Sequence, residues 1–114
     1  MKTIKFIISS LLAFVITFGA MAQDKDSKTE SFKVYGNCES CKARIEKALK
    51  IDGINKATWD VKSKILTVSY NPSKISIDGI HKKVATVGHD TEKLKADDKV
   101  YASLPGCCQY ERKK

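Results

Sequence analysis

The apolar residues change their spacing across the pair Cys38 and Cys41. Before the pair, Phe32 and Val34 alternate with polar residues, as in a half-buried strand. Gly36 then breaks the strand, and after the pair apolar residues recur at helical spacing: Ile45, Ala48 and Leu49. The chain is therefore limited to folds in which a strand turns directly into a helix and presents two thiols, one in the loop and one in the first helical turn.

Two further strands and a second helix follow at short intervals. Residues 54–61 and 65–70 alternate around a polar turn, which predicts a β-hairpin. Ser76 is a candidate N-cap for apolar residues at helical spacing, and Gly88 is a natural stop. Residues 91–95 are a predicted last strand. The order predicts an α+β, ferredoxin-like βαββαβ sandwich, with a four-stranded antiparallel sheet and two helices on one face.

Residues 1–22 have the layout of a secretory signal peptide. A lysine-bearing start precedes an apolar run at residues 6–18 and the small-x-small pattern Ala20-Met21-Ala22. The apolar run is short for a bilayer span of about 20 residues. We therefore favour cleavage after Ala22 over an uncleaved membrane anchor, and we expect a periplasmic or secreted protein.

The exported part is expected to hold one small domain. We predict a linker at residues 23–30, the domain at residues 31–95 and a separate Cys-containing tail at residues 96–114, with Asp97 and Asp98 in a solvated linker. The formal net charge of the full chain is +8, and the loss of Lys2 and Lys5 with the signal peptide leaves +6. On an exported protein, such a charge favours solubility or an acidic partner surface, and nucleic acid is not an expected partner. No phosphate loop and no constellation of catalytic residues is recognisable, so we do not expect an enzyme.

The chemistry of Cys38 and Cys41 is that of soft ligands. Thiolates select Cu(I), Zn(II) and related ions, and only the deprotonated sulfur binds. The free amides and positive dipole end of a helix N-terminus lower a thiol pKa, and Lys42 and Arg44 can add positive potential. Two sulfurs suit Cu(I) or Hg(II) better than structural zinc, which needs four protein ligands.

Around Cys38 and Cys41, residues 31–95 resemble the heavy-metal-associated domain family. That family includes copper chaperones, the N-terminal domains of copper-transporting ATPases and the periplasmic mercury-binding protein. The resemblance is carried by the following residues: Gly36-Asn37-Cys38-Glu39-Ser40-Cys41, Ala48-Leu49, Gly53-Ile54 and Gly88. It implies that Cys38 and Cys41 bind metal. It also implies a metal-transporting membrane protein or an acceptor metal-binding domain as partner, and a monomer or a metal-bridged dimer.

The sequence departs from the family pattern at two places. The family motif is Gly-Met-x-Cys-x-x-Cys, whereas only Asn37 separates Gly36 from Cys38 here. His89 follows Gly88 where the family commonly has an aromatic residue. Because that loop lies near the metal loop in this fold, His89 is a candidate third ligand or a hydrogen-bond donor to the thiolates; the alternative is an exposed turn histidine. His81, on a charged stretch, is expected to be solvated.

The vicinal pair Cys107-Cys108 lies outside the region of resemblance and has three interpretations. The pair can fold back and add thiolates to the Cys38/Cys41 site, it can form disulfides, or it can lie in a disordered tail. Four cysteines allow three full connectivities. We favour a metal-related role, because two further thiols in a metal-binding protein are available as ligands.

Three functions compete for these features. The favoured hypothesis is an exported carrier that passes Cu(I) on by thiolate ligand exchange; Hg(II), as in a scavenger of mercury, Zn(II), Ag(I) and Cd(II) are the alternative ions. The second is a thiol-disulfide oxidoreductase, because a C-x-x-C pair also serves redox exchange. The third is a disulfide-stapled binding module, but Cys38 and Cys41 are so close in the chain that they would staple little of it.

Overall fold

Three antiparallel strands form the sheet of the computed structural model, which describes residues 27–112. They are β1 (Lys28–Lys33), β2 (Ile54–Trp59) and β3 (Ile65–Tyr70), in the order β1-β3-β2. Leu66 at the centre lies opposite both Phe32 and Trp59. The β2–β3 hairpin is thus confirmed. The predicted signal peptide lies outside the described residues.

In the described part of the chain, three α-helices accompany the sheet: α1 (Glu39–Ala48), α2 (Ile77–Thr86) and the short α3 (Asp98–Ala102). The apolar stripes of α1 and α2 share one core with the buried face of the sheet, and the central members of that core are Phe32, Ile45, Leu49, Leu66, Val68, Ile80 and Val84. Within residues 27–112, no helix has the length and apolar content that a membrane crossing requires.

The predicted ends of α2 are confirmed. Ser76 precedes the helix, and its Oγ accepts a hydrogen bond from the backbone N–H of Gly79 at 3.0 Å. Gly88 follows the helix at φ +104°, a left-handed conformation that residues with a Cβ rarely adopt. These two residues set where the loop that carries His89 begins.

The predicted fourth strand does not form within the described residues. Only a single bridge, between Val34 and Thr91, adds to the edge of the sheet beyond β1. The chain turns after that bridge because the Thr91 Oγ1 accepts hydrogen bonds from the backbone N–H groups of Lys93 and Leu94, and the Thr91 N–H donates to the Leu94 carbonyl. A threonine that closes its own turn in this way competes with continuation of the strand.

Strand β1 begins at Lys28, three residues before its predicted start, so the end of the predicted linker is part of the sheet. Lys28 lies opposite Tyr70, and Glu30 lies opposite Val68. The Tyr70 hydroxyl donates a hydrogen bond to the Glu30 carboxylate, which raises the pKa of Tyr70 to about 12. This cross-strand pairing explains why a polar segment extends the strand.

The segment predicted as a separate tail packs onto the domain. After α3, residues 106–108 form a 3₁₀ turn, and the residues of this segment that are buried in the main core are Leu104, Cys108 and Tyr110. Asp97 caps α3 by accepting from the backbone N–H of Lys99 at 2.9 Å, and Asp98 pairs with Arg112 at 2.8 Å. Both aspartates are exposed, as predicted, but each makes a specific contact within the packed segment.

His81 is buried, contrary to the prediction that it is solvated. Its ring stacks on Phe32 with centroids 3.8 Å apart, and its Nδ1 lies 2.6 Å from the Thr91 Oγ1. The charged residues around it in the sequence face outward, while position 81 lies on the apolar side of α2, one residue after Ile80. Burial lowers the pKa of His81 below its usual range.

Candidate metal centre

The loop before α1 is shaped by the indole of Trp59. Trp59 is fully buried, and its Nε1 donates a hydrogen bond to the Val34 carbonyl at 3.0 Å. Gly36 lies against this ring: a Cβ there would come within 3.0 Å of Trp59 Cη2 and 3.2 Å of the Cys41 Cβ. Glycine at this position therefore lets the chain pass close to both the indole and the second cysteine.

Helix α1 is tied to β2 on the other side of the loop. The Glu46 Oε2 accepts hydrogen bonds from the Trp59 backbone N–H at 2.8 Å and from the Lys42 Nζ at 2.6 Å. The Lys42 Nζ also donates to the Trp59 carbonyl at 3.0 Å. Lys42 is thus engaged with β2 and holds α1 against it, while its effect on the potential at the thiols stays a prediction.

Three sulfur atoms come together at the N-terminus of α1. The Sγ atoms of Cys38, Cys41 and Cys108 all lie within 4.8 Å of one another, and Cys38 and Cys41 are 3.9 Å apart. With metal–sulfur bonds of about 2.3 Å, three sulfurs in a plane around one ion are about 4.0 Å apart and two on opposite sides about 4.6 Å. These separations therefore suit a single soft ion without a large movement of the backbone.

The cluster combines one half-buried and two buried thiols. Cys38 is the N-cap residue of α1 and is partly exposed, whereas Cys41 and Cys108 are fully buried. The backbone N–H of Asn37 donates to the Cys41 Sγ at 3.3 Å. An ion held here would be open to an incoming ligand on the Cys38 side and enclosed on the other.

The helix N-terminus favours the thiolate of Cys38. The nearby backbone amides of Cys41 and Ser40 lower the pKa of Cys38 to about 7. No amide meets hydrogen-bond geometry with this sulfur, so the effect is that of aligned N–H dipoles at a helix start. Near neutral pH, about half of Cys38 is therefore the thiolate that binds a soft cation.

The two tail cysteines have raised pKa values, in contrast to Cys38. Burial raises the pKa of Cys108, and the neighbouring thiol of Cys108 raises that of Cys107. The Arg44 Nη1 donates a hydrogen bond to the Cys108 Sγ at 3.1 Å, which offsets part of the cost of burying a thiolate there. The positive potential expected from Arg44 is thus directed at Cys108.

Cys107 lies beside the cluster, not within it. Its Sγ is exposed and lies 3.9 Å from that of Cys108. Its carbonyl oxygen lies 3.5 Å from the Cys38 Sγ and 3.4 Å from the Asn37 Nδ2, so the backbone of the tail borders the metal loop. The structure brings the Cys108 thiol to Cys38 and Cys41, as the first of the three interpretations of the vicinal pair requires.

His89 is buried near the loop but does not belong to the three-sulfur cluster. Its Nδ1 lies 2.8 Å from the Tyr35 carbonyl, which can only accept, so this nitrogen carries the proton. Its Nε2 has no hydrogen-bond partner among the described residues, and burial lowers the pKa of the ring. The expectation of an exposed turn histidine is wrong; its role as a ligand stays a prediction.

The sequence offers Tyr101, Leu104 and Tyr110 as apolar docking residues of the tail, but it did not reveal the polar contacts that hold the tail in place. Tyr110, Arg112 and Asp90 join the tail to the loop after α2, across 20 or more residues of sequence. Arg44 was recognisable, because it follows Cys41 by three residues and so lies on the same side of α1. No local pattern of the sequence links Asp90 to Arg112.

The domain is similar in sequence to known proteins. The model of the heavy-metal-associated domain matches residues 33–95. A copper-exporting P-type ATPase of Staphylococcus saprophyticus is 38% identical over 71 residues, and a zinc-transporting ATPase of Synechocystis is 33% identical over 78 residues. These alignments cover 60% and 67% of this chain, but only 9% and 11% of the two ATPases.

Among solved structures, the CopZ metallochaperone superposes with a TM-score of 0.54 at 29% identity. The superposition covers 56% of this chain and 98% of that protein. The chain therefore spans about a tenth of the length of the two ATPases, while its superposed part corresponds to nearly the whole of the CopZ metallochaperone.

Proposed function

The chain belongs to the heavy-metal-associated domain family, and we propose that it is an exported carrier of a soft metal ion, with Cu(I) as its cargo. The observation that carries the proposal is the cluster of three sulfur atoms within 4.8 Å of one another at a helix N-terminus. Cys38 and Cys41 are the main ligands, and Cys108 joins them. Thiolate donors select soft ions, and the low pKa of Cys38 supplies a thiolate near neutral pH.

The site suits transfer because one ligand is accessible. Cys38 is half-buried, whereas Cys41 and Cys108 are fully enclosed. An acceptor thiolate can approach on the Cys38 side and bond to the ion before the first sulfur leaves. The acceptor is a metal-binding domain or a metal-transporting membrane protein, in keeping with the ATPase relatives, and the carrier acts as a monomer.

Export is the second part of the proposal. The signal-peptide pattern of residues 1–22 supports delivery to the periplasm or the cell exterior, with the processed chain starting at Gln23. Metal occupancy would protect the thiols from oxidation in that compartment. N-terminal sequencing of the protein recovered outside the cytoplasm tests this part, and an intact Met1 end would contradict it.

Anaerobic titration of the reduced protein with Cu(I), against a competing chelator, tests the cargo. We expect tight binding of one Cu(I), which Cys38→Ser/Cys41→Ser abolishes; retention of tight binding by that double variant would overturn the site. Parallel titrations with Zn(II) and Hg(II) decide the ion, since one relative transports zinc. Catalytic reduction of a disulfide substrate by the metal-free protein would favour the oxidoreductase hypothesis instead.

A further inference from the structure

The C-terminal segment is fastened most firmly beyond Cys108, not at it. At Cys108 itself, the side chain accepts a hydrogen bond from Arg44 and lies 3.9 Å from the Cys107 Sγ, and the neighbouring Cys107 carbonyl has contacts of 3.4 and 3.5 Å with the metal loop. Two residues further on, the Tyr110 hydroxyl donates to the Gly88 carbonyl at 2.7 Å and accepts from the Asp90 N–H at 2.8 Å.

Arg112 completes this fastening on a buried carboxylate. Its Nη2 lies 2.8 Å from Asp90 Oδ1, and its Nε lies 3.2 Å from Asp90 Oδ2, a two-point contact of guanidinium and carboxylate. Asp90 is fully buried, whereas the Arg112 side chain is 17% exposed. The same guanidinium bonds the Ala96 carbonyl at 2.7 Å and Asp98 at 2.8 Å.

The other end of the segment has its own anchor. Leu104 is buried, and its side chain packs closely on Gly88. A Cβ added at Gly88 would come within 3.1 Å of the Leu104 Cδ2. Cys108 therefore lies between an apolar anchor at Leu104 and the polar contacts of Tyr110 and Arg112. Release of the polar end would leave Leu104 as a pivot and let Cys108 move away from Cys38 and Cys41.

We propose that residues 104–112 form a strap, and that its clasp on Asp90, made by Tyr110 and Arg112, determines whether the metal is held by three sulfurs or by two. Tyr110 and Arg112 are positioning residues in this scheme, because neither contacts the cluster. The inference rests on the proposed function, since it concerns the same ion. With the clasp closed, Cys108 is a ligand; with the clasp open, Cys38 and Cys41 alone hold an ion that an acceptor can take more readily.

Two measurements on the full protein test the strap. In the reduced, metal-free protein, Cys108 should be alkylated slowly, and Arg112→Gln should raise its rate about tenfold, because a buried charge-assisted contact no longer opposes opening. In the Cu(I) form, X-ray absorption should give three sulfurs per ion for the parent protein and two for Arg112→Gln. Cys108→Ser should also give two, whereas Cys107→Ser, the matched control, should still give three.

If circular dichroism shows that Arg112→Gln is unfolded, Tyr110→Phe repeats the test. It keeps the ring that stacks on His89 and removes only the hydroxyl, and it should likewise expose Cys108 and lower the sulfur number. Lys93→Gln, which breaks an exposed ion pair with Asp78 outside the strap, should change neither.

The outcomes separate this inference from the proposed function. Folded clasp variants that keep Cys108 protected and three sulfurs bound would overturn the strap. Tight Cu(I) binding by two sulfurs in the parent protein would also overturn it while leaving the carrier role intact. Absence of tight Cu(I) binding in the parent protein would overturn the carrier role itself.

Discussion

The guanidinium of Arg44 donates a hydrogen bond to the sulfur of Cys108 at 3.1 Å, and so joins the helix of the C-x-x-C pair to the C-terminal segment. The contact lies beside the one place where three thiols converge in the described part of the chain. Three thiolates around Cu(I) would carry a net charge of −2, so a neighbouring cation such as Arg44 would stabilise such a site.

Arg44→Gln should therefore weaken Cu(I) binding. A hydrogen bond to a charged group contributes about 1.5–3 kcal/mol, and Arg44 is partly exposed, so we expect the lower end of that range, about a tenfold loss of affinity. Competition with a Cu(I) chelator measures it. Lys47→Gln, on the exposed face of the same helix, is the control and should have little effect. Equal affinities for both variants would contradict a role for Arg44.

Cys38 should be the most reactive thiol of the metal-free protein near neutral pH. Its pKa of about 7 means that about half of it is thiolate at pH 7, whereas the pKa of Cys107 is raised. Iodoacetamide labelling between pH 5.5 and 9.5, read by fragment mass spectrometry, should give a midpoint near 7 for Cys38 and a higher one for Cys107. A Cys38 midpoint above the usual thiol value of about 8.5 would be incompatible with the dipole effect.

Gly36→Ala should destabilise the fold by about 1–3 kcal/mol, as expected for an added methyl group in a packed site. The new Cβ would press on the buried indole of Trp59 and on Cys41. Urea unfolding followed by tryptophan fluorescence measures the change. Gly106→Ala is the matched control, because no atom lies within 4 Å of its Cβ position. An equally large loss of stability for Gly106→Ala would contradict the claim that close packing on Trp59 and Cys41 requires glycine at position 36.

The stability of the domain should fall as the pH is lowered below about 6.5. Burial lowers the pKa of His81 in the folded state, so the unfolded chain, with an ordinary histidine pKa of about 6.5, binds a proton more readily. The buried neutral imidazole makes its full contribution to the free energy of unfolding above about pH 6.5. That contribution is lost as the pH falls towards the folded-state pKa. Burial acts in the same direction on His89.

His81→Leu should flatten this dependence without removing it, since His89 still contributes. The free energy of unfolding between pH 7.5 and 5.0 is the measurement, and the slope is compared, not the absolute stability, because the variant also loses the contact with Thr91. Identical slopes for the parent and the variant would show that His81 takes up its proton equally in both states.

Local patterns predicted the parts of the fold whose causes are local. The alternation of Leu66, Val68 and Tyr70 predicted a strand with one buried face, and these three side chains are buried. Ser76 and Gly88 predicted the ends of α2 because capping and a left-handed stop depend on residues within a few positions. Positions 38 and 41 similarly placed two thiols at the start of α1.

The errors occurred where a residue responds to distant partners. His81 looked solvated among charged neighbours in the sequence, yet Phe32 covers its ring. Thr91 has the β-branched side chain of a strand residue, but its hydroxyl closes a turn after a single bridge to Val34. Short polar segments leave such competitions undecided until the surrounding contacts are present.

The sequence by itself determined that two thiols stand at a helix N-terminus, because the change from strand to helical spacing falls on Cys38 and Cys41. Only the tertiary structure decided that Cys108 joins them and that Cys107, next to it, does not. That outcome depends on Tyr110 and Arg112 docking on the loop around Asp90, a contact between residues far apart in the chain. Spacing acts within one element, whereas a docked tail requires a surface that exists only after the domain has folded.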